Sequence, residues 1–157
     1  MKTLFLIIIL SCTNLFGQNT VSSTKANEKS FPTNLNEENF KELKKFNGQI
    51  VAFDGIIEQI ENSRNNTPFY KLKIGENNYL WTFLMFKNIK NVIGDQIRVV
   101  GYLTPSTPNE TEKKYLEGKY IVISFGLVDF KNLDFLFISG AETQKQEWVE
   151  GKIPSSK

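Results

Sequence analysis

The 157-residue chain contains no histidine and a single cysteine. Without histidine, neither a Ser-His-Asp nor a Cys-His nucleophilic site can form, and no imidazole can bind a metal or transfer a proton. One cysteine cannot form an internal disulfide or a cysteine-rich zinc site. The composition therefore excludes several common hydrolase and zinc-site chemistries, and we predict no metal site and no cofactor.

Arginine is scarce as well, with only Arg64 and Arg98 in the chain and a formal net charge of +2. Because phosphate binding usually requires a basic stripe on the surface, we do not expect a nucleic-acid partner. Carboxylates are the best groups left for acid–base catalysis, and their spacing shows no cluster. We therefore predict no catalytic residues. A carboxylate-dependent hydrolase or nuclease is a less favoured hypothesis than a non-enzymatic function.

The first 17 residues have the layout of a secretory signal peptide. Met1-Lys2-Thr3 is positively charged, Leu4 to Leu10 is an uninterrupted apolar run, and Gly17 precedes Gln18 at the expected cleavage point. The apolar run is too short to span a bilayer. A small residue followed by glutamine resembles the cleavage site of Flavobacterium-type bacteria. The pattern predicts export to the periplasm or the extracellular space.

Cys12 offers a second route of processing. Ile9-Leu10-Ser11-Cys12 resembles a loose bacterial lipobox, in which the cysteine is acylated after cleavage. This alternative would make the protein a membrane-anchored lipoprotein, with the lipid as its only link to a membrane. Cleavage after Gly17 is the better match, so we favour a protein without an anchor.

The remaining chain is divided into a tether and one domain. Residues 18–33 are rich in Asn, Ser, Thr and Lys, which predicts a flexible segment. Within the domain, residues 34–157, Phe40, Leu43 and Phe46 recur at helical spacing after the potential cap Asn36, which predicts an amphipathic helix of about three turns.

From Gln49 the hydrophobic period changes to two, which predicts a mainly β domain. We expect the first strand to bend after Gly55, because its apolar residues change phase there. The capping pair Ser139 and Glu142 then opens a last helix that ends near Glu150. The predicted strands are Gln49–Glu61, Phe69–Ile74, Tyr79–Phe86, Asp95–Thr104, Lys119–Phe130 and Leu133–Ile138.

Two segments resemble strands of the OB-fold, the oligonucleotide/oligosaccharide-binding barrel. Gly48–Ile57, with its central glycine, resembles the first strand, and Ile93–Leu103, with an entering Gly-Asp turn, resembles the fourth. The resemblance covers about residues 47–130 and implies a small five-stranded antiparallel barrel. An extra C-terminal strand and helix (133–151) and an N-terminal helix would flank it. Lys87–Gly94 departs from the pattern because it hardly accommodates the helix usual at that place, and another small barrel or an open sheet is the alternative.

The OB-fold resemblance implies a ligand on the outer face of strands two and three, between the loops after strands one and four. Strand alternation assigns aromatic and lysine side chains to that face, and the loop after strand four supplies further ones. Such residues provide flat stacking surfaces beside cations. The candidate ligand-binding residues are Phe69, Lys71, Lys73, Tyr79, Trp81, Phe83, Lys113 and Tyr115.

The competing expectation, which we slightly favour, is that the N-terminal helix or the C-terminal helix with Trp148 covers these aromatics as a second core. The loop 105–118 is either a lid over the same surface or, as its balanced charges favour, a solvated hairpin. The sequence thus indicates an exported, non-enzymatic binding module whose partner is a glycan or an envelope protein. An envelope assembly component that uses the aromatic face as a protein interface is the alternative, and the oligomeric state stays open.

Overall fold

The computed structural model describes residues 30–63, 66–88 and 90–156. The predicted signal peptide, Cys12 and residues 18–29 of the predicted tether lie outside the described residues. The elements are a 3-10 helix (Phe40–Phe46), β1 (Ile50–Asn62), β2 (Pro68–Ile74), β3 (Asn78–Leu84), β4 (Gln96–Pro105), a second 3-10 helix (Glu112–Lys114), β5 (Tyr120–Asp129), β6 (Asp134–Phe137) and the helix α1 (Glu142–Val149).

Five strands close into a barrel. β1 pairs with both β2 and β4, β2 pairs with β3, and β4 pairs with β5. β3 then pairs with β5 in parallel, which completes the ring, and β6 extends the sheet beyond β5. The predicted mainly β class, small barrel, extra strand and flanking helices are confirmed. The closing β3–β5 pair differs from a purely antiparallel barrel.

β1 is long because it belongs to both halves of the barrel. Its first half pairs with β4 and its second half with β2, and a bulge between Ile57 and Gln59 shifts the register. A Cβ atom at Gly55 would lie 2.8 Å from the Cβ of Leu72, so glycine permits the close approach of β2 at the turn from one half to the other. The requirement for glycine at position 55 therefore has a steric cause, and the irregularity predicted after it is the bulge.

The N-terminal helix covers one end of the barrel. Phe40, Leu43 and Phe46 pack against the barrel core, as the apolar spacing predicts. The helix is a seven-residue 3-10 helix with a kink, however, and not three turns of α-helix. Asn36 and Asn39 each accept a hydrogen bond from the other's backbone N–H, which forms a tight turn where the first helical turn was expected.

The opposite end is closed by the connection between β3 and β4. No helix is present among the described residues of this connection, in agreement with the shortness of Lys87–Gly94. Instead of a helix, the side chain of Phe86 fills this end of the barrel core. The buried side chains of Asn88 and Asn91 hydrogen-bond to each other, and Asn91 donates to the carboxylate of Asp129 at 3.2 Å.

A second core lies on the outer face of β1, β4 and β5. Trp148 of α1 is fully buried there, and its indole N–H donates to the carbonyl of Pro32 at 2.9 Å. The backbone N–H of Phe31 donates to the carbonyl of Trp148 at 2.9 Å, and the Phe31 ring packs against Phe135. Residues 30–33 of the predicted tether therefore pack on the domain. Within the described ranges, no helix is long and apolar enough to cross a membrane.

Candidate functional site

The outer face of β2 and β3 carries the residues that strand alternation assigned to it. Across the two strands Phe69 is paired with Phe83, Lys71 with Trp81, and Lys73 with Tyr79. The intervening β2 side chains belong to the barrel core: Tyr70, Leu72 and Ile74. The alternation predicted from the sequence is thus present in the structure.

A loop, and not a helix, covers the middle of this face. Leu116, in the connection between β4 and β5, is buried against Phe69 and Trp81, and the Tyr115 ring centroid lies 5.6 Å from that of Trp81. Trp81 is only 1% exposed. The expected covering by the N-terminal or C-terminal helix is not observed, because those helices pack on one barrel end and on the second core. The loop 105–118 covers this face through Leu116, as the lid alternative predicts, and is not the solvated hairpin that its balanced charges favour.

A groove of about 670 Å³ remains beside this loop, and we call it the interloop groove. Its floor is aromatic, with the rings of Phe69 and Phe83 4.6 Å apart and the ring of Tyr115 6.3 Å from Phe69. Its walls come from the end of β1 and from the β4–β5 loop: Asn62, Ser63, Asn109, Glu110, Thr111 and Glu112. This is the place where the sequence resemblance put a ligand.

The β4–β5 loop holds its polar wall in a fixed turn. The side-chain oxygen of Asn109 accepts hydrogen bonds from the backbone N–H groups of Thr111 and Glu112, and the Glu112 carboxylate accepts one from the backbone of Asn109. Burial, with a smaller contribution from the carboxylates of Glu112 and Glu61, raises the pKa of Tyr115, so its hydroxyl is a neutral group. Sequence reasoning missed Asn109 and Glu112, although an Asn followed by Glu three residues later signals such a turn.

The lysines of the predicted site do not enter the interloop groove. Lys71 lies 3.3 Å from the Glu117 carboxylate and 5.1 Å from the centre of the Tyr79 ring. Lys73 is 4.0 Å from the carboxylate of Glu58, and Lys113 pairs with Glu110 on the exposed side of the loop. Among the described residues that line the groove, the charged ones are Glu110, which pairs with Lys113, and Glu112, whose carboxylate accepts from the Asn109 N–H. The described lining is therefore aromatic and polar, and no lysine belongs to it.

Tyr79 lies on the other side of the covering loop, where it is 40% exposed. It borders a second groove of about 390 Å³, which we call the helix-side groove. This groove runs between the N-terminal 3-10 helix and the end of the β4–β5 loop, and its walls include Phe40, Lys44 and Gly118. Trp81 is thus situated between two open grooves.

The aspartates considered for catalysis have structural partners. Asp54 forms two hydrogen bonds with the guanidinium of Arg98, and the buried Asp129 accepts from the side chains of Asn91 and Asn132. The backbone N–H of Val92 lowers the pKa of Asp95, with help from the Asn91 amide and Lys131. In the described part of the chain, no group of three or more Asp, Glu, His or Cys side chains is arranged to hold a metal ion.

No protein-family model matches the sequence, and no curated protein is similar enough to match it. Among solved structures, aspartyl-tRNA synthetase from Entamoeba histolytica superposes with a TM-score of 0.51 at 12% identity, over 99% of this chain and 36% of that one. The fold is an OB-like barrel. An OBody bound to hen egg-white lysozyme is also similar, with a TM-score of 0.42 at 9% identity over 55% of this chain and 85% of that one. The OB-like barrel spans about a third of the synthetase, and at such identities the likeness concerns the fold alone.

Proposed function

We propose that the OB-like barrel is an exported, non-enzymatic binding module that takes a neutral sugar chain in the interloop groove. The observation that carries the proposal is the aromatic floor of Phe69, Phe83 and Tyr115 between walls of amide, hydroxyl and carboxylate groups. Small-ligand sites combine apolar lining with a few placed polar groups in this way.

The chemistry of the groove favours sugars over nucleic acids. Aromatic rings stack on the apolar faces of sugar rings, while amide and carboxylate groups can hydrogen-bond to the hydroxyls. Among the described lining residues, a phosphate chain would meet the Glu112 carboxylate and Glu110, which pairs with Lys113, and no lysine. Charge repulsion of this kind opposes nucleic-acid binding, which depends on neutralising phosphates.

The alternative of an envelope assembly component needs an open aromatic face. Trp81, in the middle of that face, is buried, and Phe83 is half-buried. Isolated exposed apolar residues such as Tyr79 are normal on protein surfaces and do not form an interface by themselves. The coverage of Trp81 therefore supports the groove over the flat face as the binding surface.

The test is a titration of the protein with neutral oligosaccharides from bacterial envelopes, in which isothermal calorimetry measures the affinity. We expect Phe83→Ala to weaken binding by about tenfold or more, since stacking on one aromatic ring contributes about 1–3 kcal/mol. Tyr102→Ala is the matched control, because Tyr102 is also a half-buried aromatic but packs on the second core. Equal affinities for the wild type and Phe83→Ala would contradict the proposed groove.

Export is tested separately, by the mass of the protein recovered outside the cytoplasm of a bacterial host. A mature chain that begins at Gln18 is the expected product. A lipid-modified N-terminal Cys12 would instead support the lipoprotein route. Retention of the intact chain in the cytoplasm would refute export.

A further inference from the structure

The part of the chain that covers Trp81 is attached weakly to the barrel. We call residues 106–119 the lid loop. Its hydrogen bonds to described residues lie within the loop, for example from the Leu116 N–H to the Glu112 carbonyl, or at its base, from the Ser106 N–H to the Lys119 carbonyl. Its attachment to β2 and β3 consists of apolar packing by Tyr115 and Leu116 and an ion pair from Glu117, which is 80% exposed.

Such an attachment permits a rigid movement. The hydrogen bonds inside the lid loop and at its base do not involve β2 or β3, so they persist when the loop lifts. Exposed ion pairs contribute little stability. Gly118, with φ of +103°, adjoins the base and provides a position of high backbone freedom for a hinge. Regions with few buried contacts to the rest of a protein open at low free energy.

The closed position leaves a polar group unsatisfied. The indole N–H of Trp81 is buried and has no hydrogen-bond partner among the described residues, and neither has the hydroxyl of Ser106 at the base of the loop. Buried donors without acceptors are rare and destabilising. When the lid loop lifts, water or a ligand can accept a hydrogen bond from the Trp81 N–H. The free-energy cost of opening is therefore lower than for a loop that covers no unsatisfied donor.

Opening would also change the shape of the site. Phe83, Trp81 and Tyr79 are alternate residues of β3 and point to the same face, at spacings of about 7 Å. Phe83 borders the interloop groove and Tyr79 borders the helix-side groove. With the lid loop raised, the two grooves would join over Trp81 into one row of three rings, about 14 Å long.

We propose that the lid loop opens over Trp81 and that the open site binds a chain of at least three sugar rings. The Trp81 ring stacks on the central sugar, and its N–H, which points outward in the plane of the ring, donates to a hydroxyl of a neighbouring sugar. This inference rests on the proposed function for the identity of the ligand. The movement of the lid loop itself does not depend on it.

The movement is measured without ligand, by acrylamide quenching of tryptophan fluorescence. Trp148 is fully buried and hydrogen-bonded to Pro32, so it serves as an unquenched reference, assigned with Trp148→Phe. We expect Leu116→Ala to increase quenching of Trp81 several-fold. Leu136→Ala is the matched control, since this leucine is equally buried, at 6% against 8% exposed, but lies on β6.

Unchanged quenching in a folded Leu116→Ala protein would overturn the lid. If that variant does not fold, Glu117→Gln replaces it, because this side chain is exposed and its substitution removes only the ion pair with Lys71. A smaller increase in quenching is then expected. Identical quenching of Glu117→Gln and wild type, together with hydrogen exchange of the Trp81 indole N–H only at the rate of global unfolding, would equally refute the movement.

The length of the site is measured with β-1,4-linked N-acetylglucosamine oligomers of one to six rings. We expect affinity to rise steeply up to three rings, and Leu116→Ala to bind the trimer several-fold more tightly, because the opening step no longer opposes binding. Saturation at one or two rings, with no gain in Leu116→Ala, would show that ligand enters the closed groove and overturn the three-ring site. If no neutral oligosaccharide binds, the proposed function fails, and quenching alone decides whether the lid loop opens.

Discussion

Thr82→Val is expected to make the protein more stable. Thr82 is fully buried in β3, and within the described part of the chain its hydroxyl has no hydrogen-bond partner. A buried hydroxyl without a partner destabilises a folded protein by about 1–3 kcal/mol. Valine has nearly the same shape and is well suited to a strand, so the substitution removes the polar atom without creating a cavity.

The size of the effect follows from these terms. We expect the free energy of unfolding to increase by about 1–2 kcal/mol. For a domain of this size, about 1 kcal/mol raises the midpoint of thermal unfolding by roughly 4 °C. Most core substitutions lower stability, so a gain of several degrees is a distinctive result.

Ser124→Ala provides the matched control. Ser124 is as deeply buried as Thr82, but its hydroxyl lies within hydrogen-bonding distance of the carbonyls of Gly126, at 2.8 Å, and Val100, at 3.1 Å. Removing this hydroxyl should destabilise the protein by about 1 kcal/mol. Urea unfolding followed by tryptophan fluorescence measures both variants. A loss of stability in Thr82→Val, or equal shifts in the two variants, would refute the reasoning.

Three further predictions concern the barrel and are measured by chemical denaturation. Burial raises the pKa of Tyr70, so stability present below pH 10 is lost at higher pH, and Tyr70→Phe should show a flatter alkaline decline. The Val92 N–H lowers the pKa of Asp95, so stability present above pH 4 is lost on acidification, and Asp95→Asn should show a weaker acid dependence. A pH profile identical to that of the wild type would contradict either expectation. Gly101→Ala would place a Cβ against the Ile123 carbonyl and should destabilise the protein by about 3 kcal/mol; a loss below about 1 kcal/mol would show that the strands adjust.

The barrel was predictable because its local signals agree with one another. Tyr70, Leu72 and Ile74 alternate with polar or outward residues, and this alternation defines the inner face of β2 without any knowledge of its neighbours. The change of phase after Gly55 indicated an irregularity in a long strand, and the structure has a bulge there, between Ile57 and Gln59. Period and turn residues are local properties, so the sequence carries them directly.

The coverage of Trp81 was not predictable in the same way. Leu116 is separated from Trp81 by 35 positions in a stretch of mixed charges, and no period marks it as a buried residue. The two helices were the more apparent candidates to cover Trp81, but the C-terminal helix packs on other aromatic residues. Phe31, Phe135 and Trp148 form the second core and draw α1 to the far side of the barrel.

The polar side of the candidate site also depends on these long-range contacts. Strand alternation brought Lys71 and Lys73 to the correct face, yet each lies beside a carboxylate from another element, Glu117 or Glu58. The groove is left with the carboxylates of the loop wall, so its charge is opposite to the one expected from the strands alone. Because side chains from β2 and β3 form the floor and the loops form the walls, neither segment determines the ligand class by itself. Because the loop supplies Tyr115 to the floor, a movement of the loop would change the shape of the groove, and on the proposed function ligand binding would then be coupled to the position of the loop.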